Sequence, residues 1–124
     1  MTNFNYEEVR GYSKVEALVG LRQNVADDLR VIVIGIVLHH HDHAFAERFC
    51  VELADHESDN VRGNAILGFG HLARRFGELN IAIVKPVIEA ALVDKSEYVR
   101  GQAWAAADDI THFLGCTIDG FDGS

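Results

Sequence analysis

The chain is poor in residues that would staple it, break its helices or carry it to a membrane. Its 124 residues include two cysteines, Cys50 and Cys116, one proline, Pro86, and one tryptophan, Trp104. Two distant cysteines exclude a disulfide framework and lack the spacing of a zinc site, so free thiols in a reducing compartment are expected. The longest apolar run, Val31 to Leu38, has eight residues, against the roughly 20 a membrane helix needs, and it belongs in a core. The start, Met1-Thr2-Asn3-Phe4-Asn5-Tyr6-Glu7-Glu8, has neither the basic flank nor the apolar stretch of a secretory signal, and a cytoplasmic location is expected. Basic residues are scarce as well. Eleven Lys and Arg face 19 Asp and Glu, a net charge of −8, which disfavours nucleic acid and suits a basic protein partner.

What is present is enough for one domain over 1–124 with its own core. Residues 117–124, with Asp119, Gly120, Asp122 and Gly123, read as a loose acidic tail. The informative feature is an internal repeat. Ser58-Asp59-Asn60-Val61-Arg62-Gly63-Asn64-Ala65 returns as Ser96-Glu97-Tyr98-Val99-Arg100-Gly101-Gln102-Ala103, an offset of 38 residues, and a fixed period of this length signals stacked supersecondary units. The offset continues through Leu72 and Ile110, Phe76 and Leu114, Gly77 and Gly115, and upstream through Phe49 and Val87, Cys50 and Ile88.

Each copy reads as a turn feeding a helix. Ser58 and Ser96 are N-caps, followed by an acidic residue in the first turn. Val61, Ala65, Gly68, Leu72 and Phe76 form one apolar stripe, and Val99, Ala103, Ala106, Ile110 and Leu114 form the other. Gly68 and Ala106 permit close helix approach, and Gly77 and Gly115 end the helices as left-handed caps. A preceding helix carries Phe45, Ala46, Phe49, Cys50 and Leu53 in one copy and Ile83, Val84, Val87, Ile88, Ala91 and Leu92 in the other. Because proline clashes inside a helix, the second of these is expected to start near Ile83, with Pro86 in its first turn. A helix around Lys14 to Arg22 caps the stack. The run from Val31 to Leu38 is β-branched enough to be a strand, although the repeat register favours helix.

The pattern Asp94, Val99, Arg100, Ala103 resembles the HEAT-repeat family. Asp55, Val61, Arg62, Ala65 matches it with one extra residue, at His56, and a first unit from Asp27 to Leu38 would place Leu29 and Arg30 at the Val-Arg positions. The resemblance spans about residues 25–115 and implies an all-α fold, a short α-solenoid of antiparallel helical hairpins. It also implies a hydrogen-bonded ladder built by Asp55, Arg62, Asp94 and Arg100, which is scaffolding rather than chemistry.

Candidate chemistry is thin, so neither enzyme activity, cofactor nor metal is expected. The cluster His39, His40, His41, Asp42, His43 contains good metal ligands, but consecutive residues on a helix diverge and only His39 and His43 share a face. His56-Glu57 resembles the His-Glu pairs of the di-iron deoxyhypusine hydroxylases, yet the register positions such pairs would occupy hold Gly63-Asn64 and Gly101-Gln102; His56 and Glu57 read as solvated turn residues. Asp108 and Asp109 are adjacent, and as helix neighbours they point apart. The chain is similar to small bacterial HEAT-type proteins that include immunity proteins of contact-dependent growth-inhibition toxin systems. That similarity implies a cytosolic protein that covers the active site of a toxin domain, often a basic nuclease. Alternatives are a general scaffold or adaptor, a module like those that handle bilin chromophores, and a metal-dependent enzyme built on the histidines. A contact surface would draw on Asp55, Glu57, Asp59, Asp94, Glu97, Asp108 and Asp109, with Trp104 as an aromatic anchor.

Overall fold

In the computed structural model, which describes residues 9–123, the chain forms six helices and no strand among those residues. They are α1 (Lys14–Gln23), α2 (Ala26–His39), α3 (His43–Leu53), α4 (Asp59–Phe76), α5 (Ile81–Ala91) and α6 (Glu97–Leu114). Local chemistry sets most of the boundaries. Ser13, Asp42, Ser58 and Ser96 cap α1, α3, α4 and α6 by accepting from a first-turn amide, and Ser13 forms a full capping box with Glu16. Each such cap is worth about 1 kcal/mol. Gly77 and Gly115 close α4 and α6 at φ 70° and 69°, donating to the carbonyls of Ala73 and Thr111, a conformation that favours glycine.

The units stack as antiparallel hairpins into a short α-solenoid. Helices α2, α4 and α6 form an inner row. Helix α3 lies over α2 and α4, α5 over α4 and α6, and α1 against α2. Helices α3 and α5 begin and end 38 residues apart, so the sequence period is a structural one. No helix among the described residues is long and apolar enough to cross a membrane.

The run Val31 to Leu38 lies in α2. Leu29, Ile32, Val33, Ile34, Ile36 and Val37 are all buried, because neighbours clothe the helix on every side. Burying one such side chain gains about 1.5 to 3 kcal/mol, whereas β-branching costs a helix at most about 0.7 kcal/mol per residue, so packing decides. Of the two residues expected at Val-Arg positions in a first unit, Leu29 is buried and Arg30 lies 3.6 Å from Asp27 near the surface.

Two expectations need correction. Helix α5 starts at Ile81 rather than Ile83, and Pro86 is its sixth residue, in the helix interior; the ring therefore leaves the carbonyl of Ala82 without its helical donor. The segment 117–124 is not a loose tail over its described part. Ile118 is buried, the amide of Asp119 donates to Glu89 Oε2 at 2.7 Å, and Phe121 packs edge-on against Trp104 with ring centroids 5.0 Å apart.

Inter-helix spacing is set by small residues. A Cβ at Gly68 would come within 2.8 Å of both Cys50 Sγ and Val37, and one at Gly63 within 2.6 Å of the Tyr98 ring. A polar thread crosses the inner row. Buried Asn64 donates to the carbonyl of Arg30 in α2 (2.9 Å) and accepts from the Tyr98 hydroxyl in α6, to which Gln102 also donates (2.9 Å). Satisfying a buried amide in this way avoids a penalty of about 1 to 3 kcal/mol.

Candidate groove and interhelical rungs

Between the C-terminal ends of α3 and α5 runs an open groove of about 730 Å³. Its walls are Val51 and Ala54 on one side and Val87, Ala90 and Ala91 on the other, with Asp55, Glu57 and Lys95 at its rim and Arg62 and Asp94 in its lining. The groove exists because the outer helices stand apart, each supported by the inner row beneath it.

Arg62 occupies the first part of α4 and is only 7% exposed. Its Nε and Nη2 donate to the two carboxylate oxygens of Asp94, both at 2.9 Å, while Nη1 donates to the carbonyls of His56 and Glu57. This fork geometry uses every donor group in a buried place. The pairing raises the pKa of Arg62 and lowers that of Asp94, in both cases chiefly through the hydrogen bonds between them. Asp94 also accepts from the amide of Ser96 at 2.8 Å, which fixes the turn before α6.

The other half of the expected ladder is built differently. Asp55 is exposed and makes no hydrogen bond or ion pair among the described residues. The position 38 before Asp94 is His56, and it does the corresponding job. His56 Nδ1 accepts from the amide of Ser58 at 2.9 Å, and Nε2 meets Asn24 Oδ1 at 2.6 Å. Asn24 in turn stands 38 before Arg62, at the left-handed end of α1 (φ 53°). His56 is thus a rung of the stack and not a solvated turn residue. The offset of 38 marks both positions, but the exchange of Asp for His hides the kinship from residue type. Arg100, the third member of the series, donates to the carbonyl of Asp94 at 2.8 Å and has no ion-pair partner among the described residues.

The acidic residues do not form one surface. Asp55 and Glu57 rim the groove, and Asp94 is consumed by Arg62. Asp59 accepts from the Ser96 hydroxyl at 2.8 Å. Asp109 points inward to α4, 3.7 Å from Arg74 and against Gly70. Glu97, Asp108 and Trp104 are exposed on α6, away from the groove lining.

The histidines disperse. His39 bonds the carbonyl of Val9, His40 accepts from the amide of Asp42, stacks on His41 and meets Phe45 at a tilt, and His43 stacks on Phe76. No group of three or more His, Cys, Asp or Glu able to hold a metal forms among the described residues. Asp42 serves instead as the α3 cap and as the partner of Lys14 at 2.7 Å, which holds its pKa down at about 2. Cys50 is fully buried, and desolvation pushes its thiol far above the ordinary value, leaving little thiolate to react. Compared with family models, curated proteins and solved structures, the chain finds no match.

Proposed function

We propose that the chain is a protein-binding module that receives a basic segment of its partner in the groove between α3 and α5. The observation that supports this reading is the groove itself: an apolar lining from Val51, Ala54, Val87 and Ala91, rimmed by Asp55 and Glu57 on the α3 side and by Lys95 on the other, in a protein of net charge −8. Apolar surface supplies affinity and the uncommitted carboxylates supply orientation and rapid encounter. The resemblance to HEAT-type immunity proteins extends the reading to a cytoplasmic antidote that covers the active site of a basic toxin domain, such as a nuclease.

The test is co-purification of the tagged chain with the product of the adjacent upstream gene at moderate salt, followed by binding kinetics. A basic domain whose toxicity the chain suppresses is expected. Asp55→Lys with Glu57→Lys should weaken that complex at least ~10-fold, mainly through slower association. Unchanged affinity and rate in the double variant would falsify the groove as the docking site.

A further inference from the structure

The outer face of α6 is built like an interface, and its register shows why. Arg62, Gly63 and Gly70 of α4 meet the next unit through Asp94, Tyr98, Ala106 and Asp109, and Ile66 on the same face is buried. Moved on by 38 residues, the same face of α6 carries Arg100, Gly101, Trp104 and Asp108. All four are exposed. A Cβ at Gly101 meets nothing within 4 Å, whereas the Tyr98 ring lies within 2.6 Å of one at Gly63. Phe121 holds Trp104 from the side, and the indole remains 43% exposed, the profile of an interface anchor with restricted freedom.

The polar groups on this face, above all the opposite charges of Arg100 and Asp108, identify the occupant. Glu97, Arg100, Asp108 and His112 follow one another along a single stripe of α6, since spacings of three, four, seven and eight return to one side of a helix. Arg100 and Asp108 stand about 12 Å apart along the axis, two turns at 1.5 Å per residue. The stripe is complementary to itself when reversed. With a second α6 lying antiparallel and the two-fold axis at Trp104, each Arg100 faces the other chain's Asp108 and each Glu97 lies beside the turn that carries the other's His112. The small residues Gly101 and Ala105 flank the indole and leave room for the partner's side chains.

We propose that two copies of this chain associate through the outer face of α6 as an antiparallel, two-fold symmetric pair. Such a contact is isologous, so it closes at two copies and does not grow. It uses a different face from the groove and does not rest on the groove's role.

The decisive experiment is analytical ultracentrifugation of the full chain at low salt, from micromolar concentration to about 1 mM. A reversible monomer–dimer equilibrium is expected. Arg100→Asp and Asp108→Arg each place like charges opposite one another twice per dimer, so each should weaken association at least ~10-fold. The double variant Arg100→Asp/Asp108→Arg restores both contacts with reversed polarity, and its dissociation constant should return to within about threefold of the parent. These side chains are exposed, and circular dichroism of the variants checks that the fold is intact. A monomer at every concentration, assemblies larger than two, or a dimer indifferent to the single exchanges overturns the proposal.

Discussion

The two junctions of the inner row, α2 with α4 and α4 with α6, share one period and use different chemistry. At the second, Arg62 and Asp94 form a shielded, forked ion pair, and Tyr98 lies on Gly63. At the first, Asn24 and His56 make one neutral hydrogen bond at the surface, and α2 supplies its apolar bulk instead. The polar rung is strongest where the apolar contribution is weakest: α6 buries Val99, Ala103, Ala106, Ala107 and Ile110, against the Leu, Ile and Val side chains of α2. A helix with small side chains packs closely and depends more on its specific polar contacts.

The sharpest way to break this contrast is Asp94→Ala. It leaves a largely buried guanidinium without its counter-charge and should destabilise the fold by about 3 kcal/mol in urea denaturation. Gly63→Leu, which pushes against Tyr98, should cost about 2 kcal/mol; Gly101→Leu, the same exchange one period later in open space, should be neutral or slightly stabilising, because glycine is the poorer helix former. Asn24→Gly removes the neutral rung without adding left-handed strain and should cost only about 0.5 kcal/mol. If Asn24→Gly proves as costly as Asp94→Ala, the distinction between the junctions collapses.

Acid should have the smallest effect per unit of pH, and it should act in two stages. Burial pulls the pKa values of His40 and His71 below their ordinary value. The unfolded chain therefore takes up those protons first, and stability falls as pH drops below about 6.5. Asp42 and Asp94 have depressed values, Asp42 at about 2. Their contribution is complete above the unfolded value near 4 and is lost as pH falls through their folded values, which for Asp42 is about 2. Urea midpoints between pH 7 and pH 2 measure both stages, and His71→Gln should reduce the first, leaving the share of His40.

Legibility in the sequence followed the range of each signal. Serine caps and left-handed glycines act within a few residues, so the ends of α4 and α6 could be read directly. The run in α2 was ambiguous because full burial erases periodicity. The start of α5 carries no local signal, because Asn80 makes no side-chain cap bond, and Pro86 favours a later start than the one packing imposes. Ile118 and Phe121 were hidden among acidic and glycine residues, where two apolar contacts outweigh composition. The rung formed by His56 could be seen only by holding to the offset of 38 across a change of residue type. The groove depends on the separation of α3 and α5, which no local pattern encodes.

The hydrogen-bonded thread from the Arg30 carbonyl through Asn64 to Tyr98 and Gln102 has a consequence for how the molecule comes apart. In a stack held only by neighbouring contacts, terminal units fray independently. Here the central asparagine is shared, and losing either α2 or α6 leaves one side of its amide without a protein partner. Amide protons in α2 and α6 should therefore exchange with one common opening free energy, so that this short solenoid melts as a single cooperative unit.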